Sequence, residues 1–119
     1  MATHNEFGKK AEKLALELLV SKGYEILETN FTYQKAEVDI IARFNQTIIA
    51  VEVKARSSLF YGDPQSFVNK KKIKLMVKAM DFYLVDRAID EETRFDIVAV
   101  FKDKEQYDIK HIEDAFYFF

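Results

Sequence analysis

Cysteine and tryptophan are absent from this 119-residue chain, which holds one proline, three glycines and two histidines. Without cysteine there is neither a disulfide framework nor a thiolate metal site. His4 and His111 have no companion at ligand spacing, which argues against a histidine metal centre. Scarce Pro and Gly, with aromatics at 14%, exclude a disordered or low-complexity chain. No apolar run reaches the ~18 residues of a membrane span, and the start Met-Ala-Thr-His-Asn-Glu lacks the pattern of a secretory signal. A cytoplasmic protein with no membrane partner is therefore expected. The length fits a single domain over residues 1–119, since one core usually holds about 100–200 residues. Neither sign of charge dominates: 18 basic against 20 acidic side chains give a net charge of −2. Bulk electrostatics alone would grip nucleic acid poorly. The distribution is uneven, however. Lys70, Lys71, Lys72, Lys74 and Lys78 crowd one stretch, and Asp90, Glu91 and Glu92 another.

Hydrophobic periodicity orders the chain as helix, three strands, helix, two strands, an α/β arrangement with a mixed central sheet flanked by helices. Phe7, Ala11, Leu14, Ala15, Leu18 and Leu19 form one helical stripe over about Asn5–Ser21, with Asn5 as N-cap and Gly23 ending the helix. Strands follow at Tyr24–Tyr33, Glu37–Phe44 and Thr47–Ala55, the last two joined by a tight turn at Asn45-Gln46. A loop over Arg56–Asp63 leads to Asn69, the expected cap of a helix whose apolar face is Ile73, Met76, Val77, Met80, Tyr83 and Leu84. Arg94–Phe101 and Gln106–Ile112 read as further strands.

Glu37, Asp39, Glu52 and Lys54 carry the chemistry. Strand alternation puts Glu37 and Asp39 on one face, Val38 and Ile40 on the other, and groups Glu52 with Lys54. A turn centred on Asn45-Gln46 sets Asp39 across from Glu52 and Glu37 across from Lys54, with facing Cβ atoms about 4.5–5.5 Å apart. Two carboxylates so close repel unless a cation lies between them. Two carboxylates with backbone and water oxygens suit Mg²⁺, and a neighbouring lysine suits charge developing on a phosphate. An ordinary solvated ion pair between Glu37 and Lys54 is the bland alternative. Hydrophobic flanks on both strands argue instead that the charges stand at the end of a sheet covered on both faces.

Asp39 followed by Glu52-Val53-Lys54 resembles the acid…(Asp/Glu)-x-Lys core of the restriction-endonuclease-like nuclease superfamily. The chain is more closely similar to the YraN-like bacterial family, in the Holliday junction resolvase-like branch. The matching runs are Gly8-Lys9-Lys10-Ala11-Glu12, Gly23-Tyr24-Glu25-Ile26-Leu27, Glu37-Val38-Asp39-Ile40-Ile41-Ala42 and Val51-Glu52-Val53-Lys54-Ala55-Arg56. Tyr61-Gly62-Asp63-Pro64, Val68 with Lys72, and Arg94-Phe95-Asp96-Ile97-Val98 continue the match. The resemblance implies a single nuclease-like domain in which Asp39, Glu52 and the Val53 carbonyl bind Mg²⁺ or Mn²⁺. It further implies that Glu12 on the first helix completes the metal site and that Lys54 is catalytic. Val38 stands where the superfamily often has proline, and Ala36 where the family usually has glycine; neither removes a chemical group.

Lys70, Lys71 and Lys72 occupy a first helical turn whose dipole disfavours cations, which suggests compensation by a bound phosphate. With Lys74 and Arg56 they form the expected nucleic-acid contact, with Gln65 and Glu37 in support; a solvated lysine face is the alternative. Phe60 and Tyr61 suit either base stacking or anchoring of their loop. Asp96, in an apolar strand, is expected to bind a backbone group or Arg94. The apolar ending Phe116–Phe119 suits packing on the domain or a homodimer contact. The expected function is a metal-dependent endonuclease acting on branched or structured DNA. A non-catalytic nucleic-acid-binding module and a protein-interaction domain are the alternatives.

Overall fold

The structure, a computed structural model, describes residues 2–57 and 68–115, with side chains described from Glu6 onward. Its elements follow the expected order: α1 (Ala2–Ser21), β1 (Glu25–Tyr33), β2 (Ala36–Phe44), β3 (Thr47–Ser57), α2 (Lys70–Asp86), β4 (Glu92–Asp103) and β5 (Gln106–Ile112). The strands form one mixed sheet in the order β1-β2-β3-β4-β5. β1, β2 and β3 run antiparallel as a meander, β3 and β4 are parallel across the α2 crossover, and β5 returns antiparallel to β4. Gln65, Phe60, Tyr61 and the ending Phe116–Phe119 lie outside the described residues.

Local chemistry explains the boundaries. At the end of α1, Gly23 has φ +91°, its amide donates to the Val20 carbonyl, and the Tyr24 amide donates to the Leu19 carbonyl. This is the left-handed glycine termination that satisfies otherwise orphaned carbonyls. Asn69 caps α2 as expected, its side chain accepting from the Lys72 amide at 2.8 Å. Asn45 and Gln46 have φ +50° and +63°, the paired positive values of a two-residue hairpin turn.

Three expectations are corrected. Helix α1 begins at Ala2, so Asn5 is inside it rather than its cap; no Gly or Pro precedes Asn5 to stop the helix earlier. Strand β3 continues through Arg56 and Ser57, which pair with Phe101 and Lys102 of β4, so the loop starts later than the polar sequence suggests. Val38 and Ile40 do not share a face. Val38 packs in the cluster beneath α2 with Met76, Ala79 and Met80, whereas Ile40 packs beneath α1 with Ala11, Ala15 and Leu19. The switch falls at Asp39. The β1–β2 register is the same on either side of it, Thr29–Ile40 and Phe31–Val38, and shifts only earlier, between Ile26 and Glu28; opposite Asp39, Asn30 is left-handed at φ +53°. An asparagine tolerates that region better than most residues. The regular alternation of side chains is lost there.

Both sheet faces are buried. Ile41, Ile48, Ala50, Phe95, Ile97 and Ala99 meet α2, and Ala42, Ile49, Val51, Val98 and Val100 meet α1. On the α1 side sits a charged cluster. Asp96 is fully buried and accepts from Arg94 at 2.9 and 2.8 Å and from the Asp114 amide at 3.0 Å, with His111 Nε2 at 2.8 Å. Arg94 also donates to the Tyr24 hydroxyl at 2.8 Å. Both partners expected for Asp96 are present, a backbone group and Arg94, and His111 serves this cluster. Burial raises the Asp96 pKa, but the bonds from His111, Arg94 and the Asp114 amide outweigh it and hold the carboxyl below its ordinary value.

Removing one partner of such a buried set strands the others without compensation. Asp96→Ala is expected to lower stability by about 3–5 kcal/mol in urea unfolding near pH 7. Because the folded pKa is depressed, the contribution of Asp96 is complete above the ordinary value of about 3.9 and is lost as pH falls through the folded value. The wild-type midpoint should therefore drop in that acid range, and the midpoint of Asp96→Ala should lack that component.

Candidate active site

The hydrogen-bonded register of β2 and β3 runs from Phe44–Thr47 to Ile40–Val51, as the Asn45-Gln46 turn requires, and stops there. Asp39 and Glu52 stand one residue beyond, where the strands part. Asp39 Oδ2 accepts the Val53 amide at 2.8 Å, so a side chain takes the place that a β2 carbonyl would hold in a continued ladder. In an extended strand the N–H and C=O of one residue face the same edge. The Val53 carbonyl therefore faces the Asp39 side.

Glu52 is 1% exposed. Its Oε2 is held by Lys72 Nζ at 2.6 Å and Lys54 Nζ at 3.1 Å. Its Oε1 is buried with no hydrogen-bond partner among the described residues. The expected cross-strand pair of Glu37 with Lys54 is not what the structure shows: Lys54 binds Glu52, two residues back on its own strand. With the ladder ended at Val51, Glu37 and Lys54 are no longer held opposite each other. Glu37 is exposed and acts on Lys72 electrostatically.

Burial, and then the Glu52 carboxylate, push the Asp39 pKa up to about 7, against the Val53 amide and Lys72; Glu12 adds to the rise. Glu12, half-buried on α1, is thus within electrostatic reach of Asp39 rather than a remote surface glutamate. Burial works against charge on Lys72, but its contact with Glu52, with the fields of Glu52, Asp39 and Glu37, holds its pKa above the ordinary value.

The remaining basic residues divide. Lys70, Lys71 and Lys74 are exposed on α2, and Lys71 and Lys72 line a cavity of about 320 Å³ with Lys35, Glu37, Asn69 and Met76. Arg56 donates to the Ala55 carbonyl at 2.9 Å and lines a second cavity of about 550 Å³ with Phe7, Ser57, Lys102 and Lys104. It stands apart from the lysines of α2. Sequence reasoning placed Lys72 on the nucleic-acid side and missed its contact with Glu52. The signal for that contact was the phase of α2, which sets Lys72 four residues before the buried Met76.

Among the described residues no three acidic or histidine side chains are gathered as a ready metal cage. The donors nonetheless fit a hard divalent ion: carboxylates from two strands, a buried unpartnered carboxylate oxygen, and an aspartate whose charge is disfavoured until a cation arrives. Substituting Asp39→Asn keeps an acceptor for the Val53 amide and removes a disfavoured charge beside Glu52. In EDTA at pH 8 its urea midpoint should equal or exceed wild type. The difference should shrink as pH falls below about 7, where Asp39 takes up a proton.

No described helix is long and apolar enough to cross a membrane. A profile of the uncharacterised protein family UPF0102 matches residues 11–100. A UPF0102 protein of Flavobacterium psychrophilum is 53% identical over 119 residues, covering all of both chains. A UPF0102 protein of Phocaeicola vulgatus is 41% identical, covering 98% of this chain and 97% of its own. One from Persephonella marina is also 41% identical, over 92% and 91% of the two chains. The matched span contains Glu12, Asp39, Glu52, Lys54 and Lys72, and on these matches the chain belongs to the UPF0102 family, the YraN-like family that its motifs resemble.

Proposed function

We propose that this protein is a metal-dependent endonuclease that hydrolyses phosphodiester bonds in branched or otherwise structured DNA. The observation that carries this reading is the pairing of Asp39 and Glu52 at the parting of β2 and β3, with Lys54 on the same carboxylate. A site with this composition suits phosphoryl chemistry, where positioning and charge stabilisation supply most of the rate.

Asp39, Glu52 and the Val53 carbonyl would hold Mg²⁺ or Mn²⁺, with Glu12 completing the set. Such an ion lowers the pKa of a bound water and offsets charge on the phosphate oxygens. Asp39 is oriented for this by the Val53 amide. Lys54, fixed in β3, stabilises negative charge that builds on the phosphate and orients the attacking water. Lys70, Lys71 and Lys74, at the start of α2, hold the backbone of the nucleic acid, and Arg56, near the end of β3, contacts it separately. Glu37 tunes the lysine side through its field on Lys72.

The Lys72–Glu52 contact also favours a second reading, a nucleic-acid-binding module without chemistry, because a lysine already neutralises the acid. Cleavage assays on four-way junction, flap and single-stranded DNA with Mg²⁺ or Mn²⁺ separate the two. Asp39→Ala, Glu52→Gln and Lys54→Ala should each reduce cleavage by about 10²–10³-fold, the usual effect of losing one group that acts on transition-state charge. Cleavage at wild-type level in Asp39→Ala or Lys54→Ala would overturn the mechanism. Binding of DNA with no metal-dependent cleavage favours the module.

A further inference from the structure

We propose that Lys72 is a positioning residue, the resident counter-cation of the Asp39–Glu52 pair, and that a divalent ion enters only as Lys72 swings off Glu52. This inference rests on the metal reading above and names what controls access to that site. The ammonium of Lys72 lies 2.6 Å from Glu52 Oε2, while Lys54 lies 3.1 Å from the same oxygen. One carboxylate oxygen thus carries two cations, and the other, Oε1, is buried and carries none among the described residues.

Counting formal charges shows why both lysines cannot stay. Asp39 and Glu52, if both ionised, are balanced by Lys54 and Lys72. A divalent ion added to that set meets two ammonium groups around a buried oxygen, and like charges in a desolvated site repel strongly. The lysines differ in their freedom to leave. Lys54 is 19% exposed and its backbone is locked in β3 beside Glu52. Lys72 is 38% exposed and belongs to the first turn of α2, where it also lines the cavity with Lys35, Glu37 and Lys71. Its long stem reaches Glu52 from another element and can withdraw into that cavity without moving the sheet. Lys72 and the ion therefore compete for one carboxylate, and its departure is the cost of metal entry.

Calorimetric titration of Mn²⁺ into protein stripped with EDTA tests this directly, without reference to cleavage. Lys72→Met should bind Mn²⁺ about tenfold more tightly than wild type, inside the roughly 5–150-fold span typical of coupled sites. Lys72→Arg, which keeps the cation, should stay close to wild type, and Glu52→Gln should lose the binding. In EDTA the melting temperature of Lys72→Met should fall, because a buried carboxylate pair loses its counter-charge, and Mn²⁺ should restore it. Lys72→Gln repeats the test if the Met variant is poorly folded by circular dichroism. Equal or weaker Mn²⁺ binding by the folded Lys72 variants, with Glu52→Gln still abolishing it, overturns the inference and leaves the metal reading standing. Tightening by Lys72→Arg as large as that by Lys72→Met also overturns it, since charge is then not the cause. Absence of Mn²⁺ binding in every protein overturns both.

Discussion

The bond from the Val53 amide to the Asp39 carboxylate decides the shape of this site. It ends the ladder between β2 and β3 without leaving a buried amide unpaired, which otherwise costs about 1–3 kcal/mol. Because the acceptor is a side chain and not a β2 carbonyl, the two strands separate at that point. Their separation puts one acid from each strand into a common space. Burial of Asp39 beside Glu52 is unfavourable for charge, so the lysines of β3 and α2 are drawn in to offset it.

Much of this was written in the sequence. Apolar periodicity gave the order of elements, Asn69 and Gly23 marked real helix ends, and Asn45-Gln46 set the hairpin register that brings Asp39 and Glu52 together. What periodicity missed was the left-handed backbone of Asn30. A pattern of apolar residues reports which positions are buried, not on which face, and Val38 and Ile40 are both buried. They lie on opposite faces because the alternation of β2 breaks at Asp39, opposite the left-handed Asn30. Lysine partners were only partly legible. The phase of α2 turns Lys72 toward the sheet, but Lys54 and Lys72 converge on one oxygen from two elements, and flexible stems leave little trace of that choice in spacing.

The sheet holds two aspartates whose pKa values depart from the ordinary one in opposite directions, although burial raises both. Asp96 is surrounded by Arg94, His111 and the Asp114 amide, and its carboxyl stays below the usual value. Asp39 has one amide, a more distant lysine and a competing carboxylate, and its pKa is pushed up to about 7. Depth alone does not separate them, since Asp96 is the more buried of the two. The number of committed partners does. The first is a strut that ties β4 to β5 and, through Tyr24, to the end of α1. The second is left under-compensated, as groups poised to receive a ligand commonly are.

Val53 illustrates how chemistry can hide in a position that looks ordinary. Its isopropyl group joins the packing beneath α1, and another aliphatic residue would fill that space almost as well. The polar atoms that matter belong to its peptide units, which every replacement except proline retains. A mutational scan would consequently score Val53 as permissive, although the cleft is organised around it. Backbone chemistry, such as an ester in place of the amide between Glu52 and Val53, is the kind of alteration that would expose its contribution.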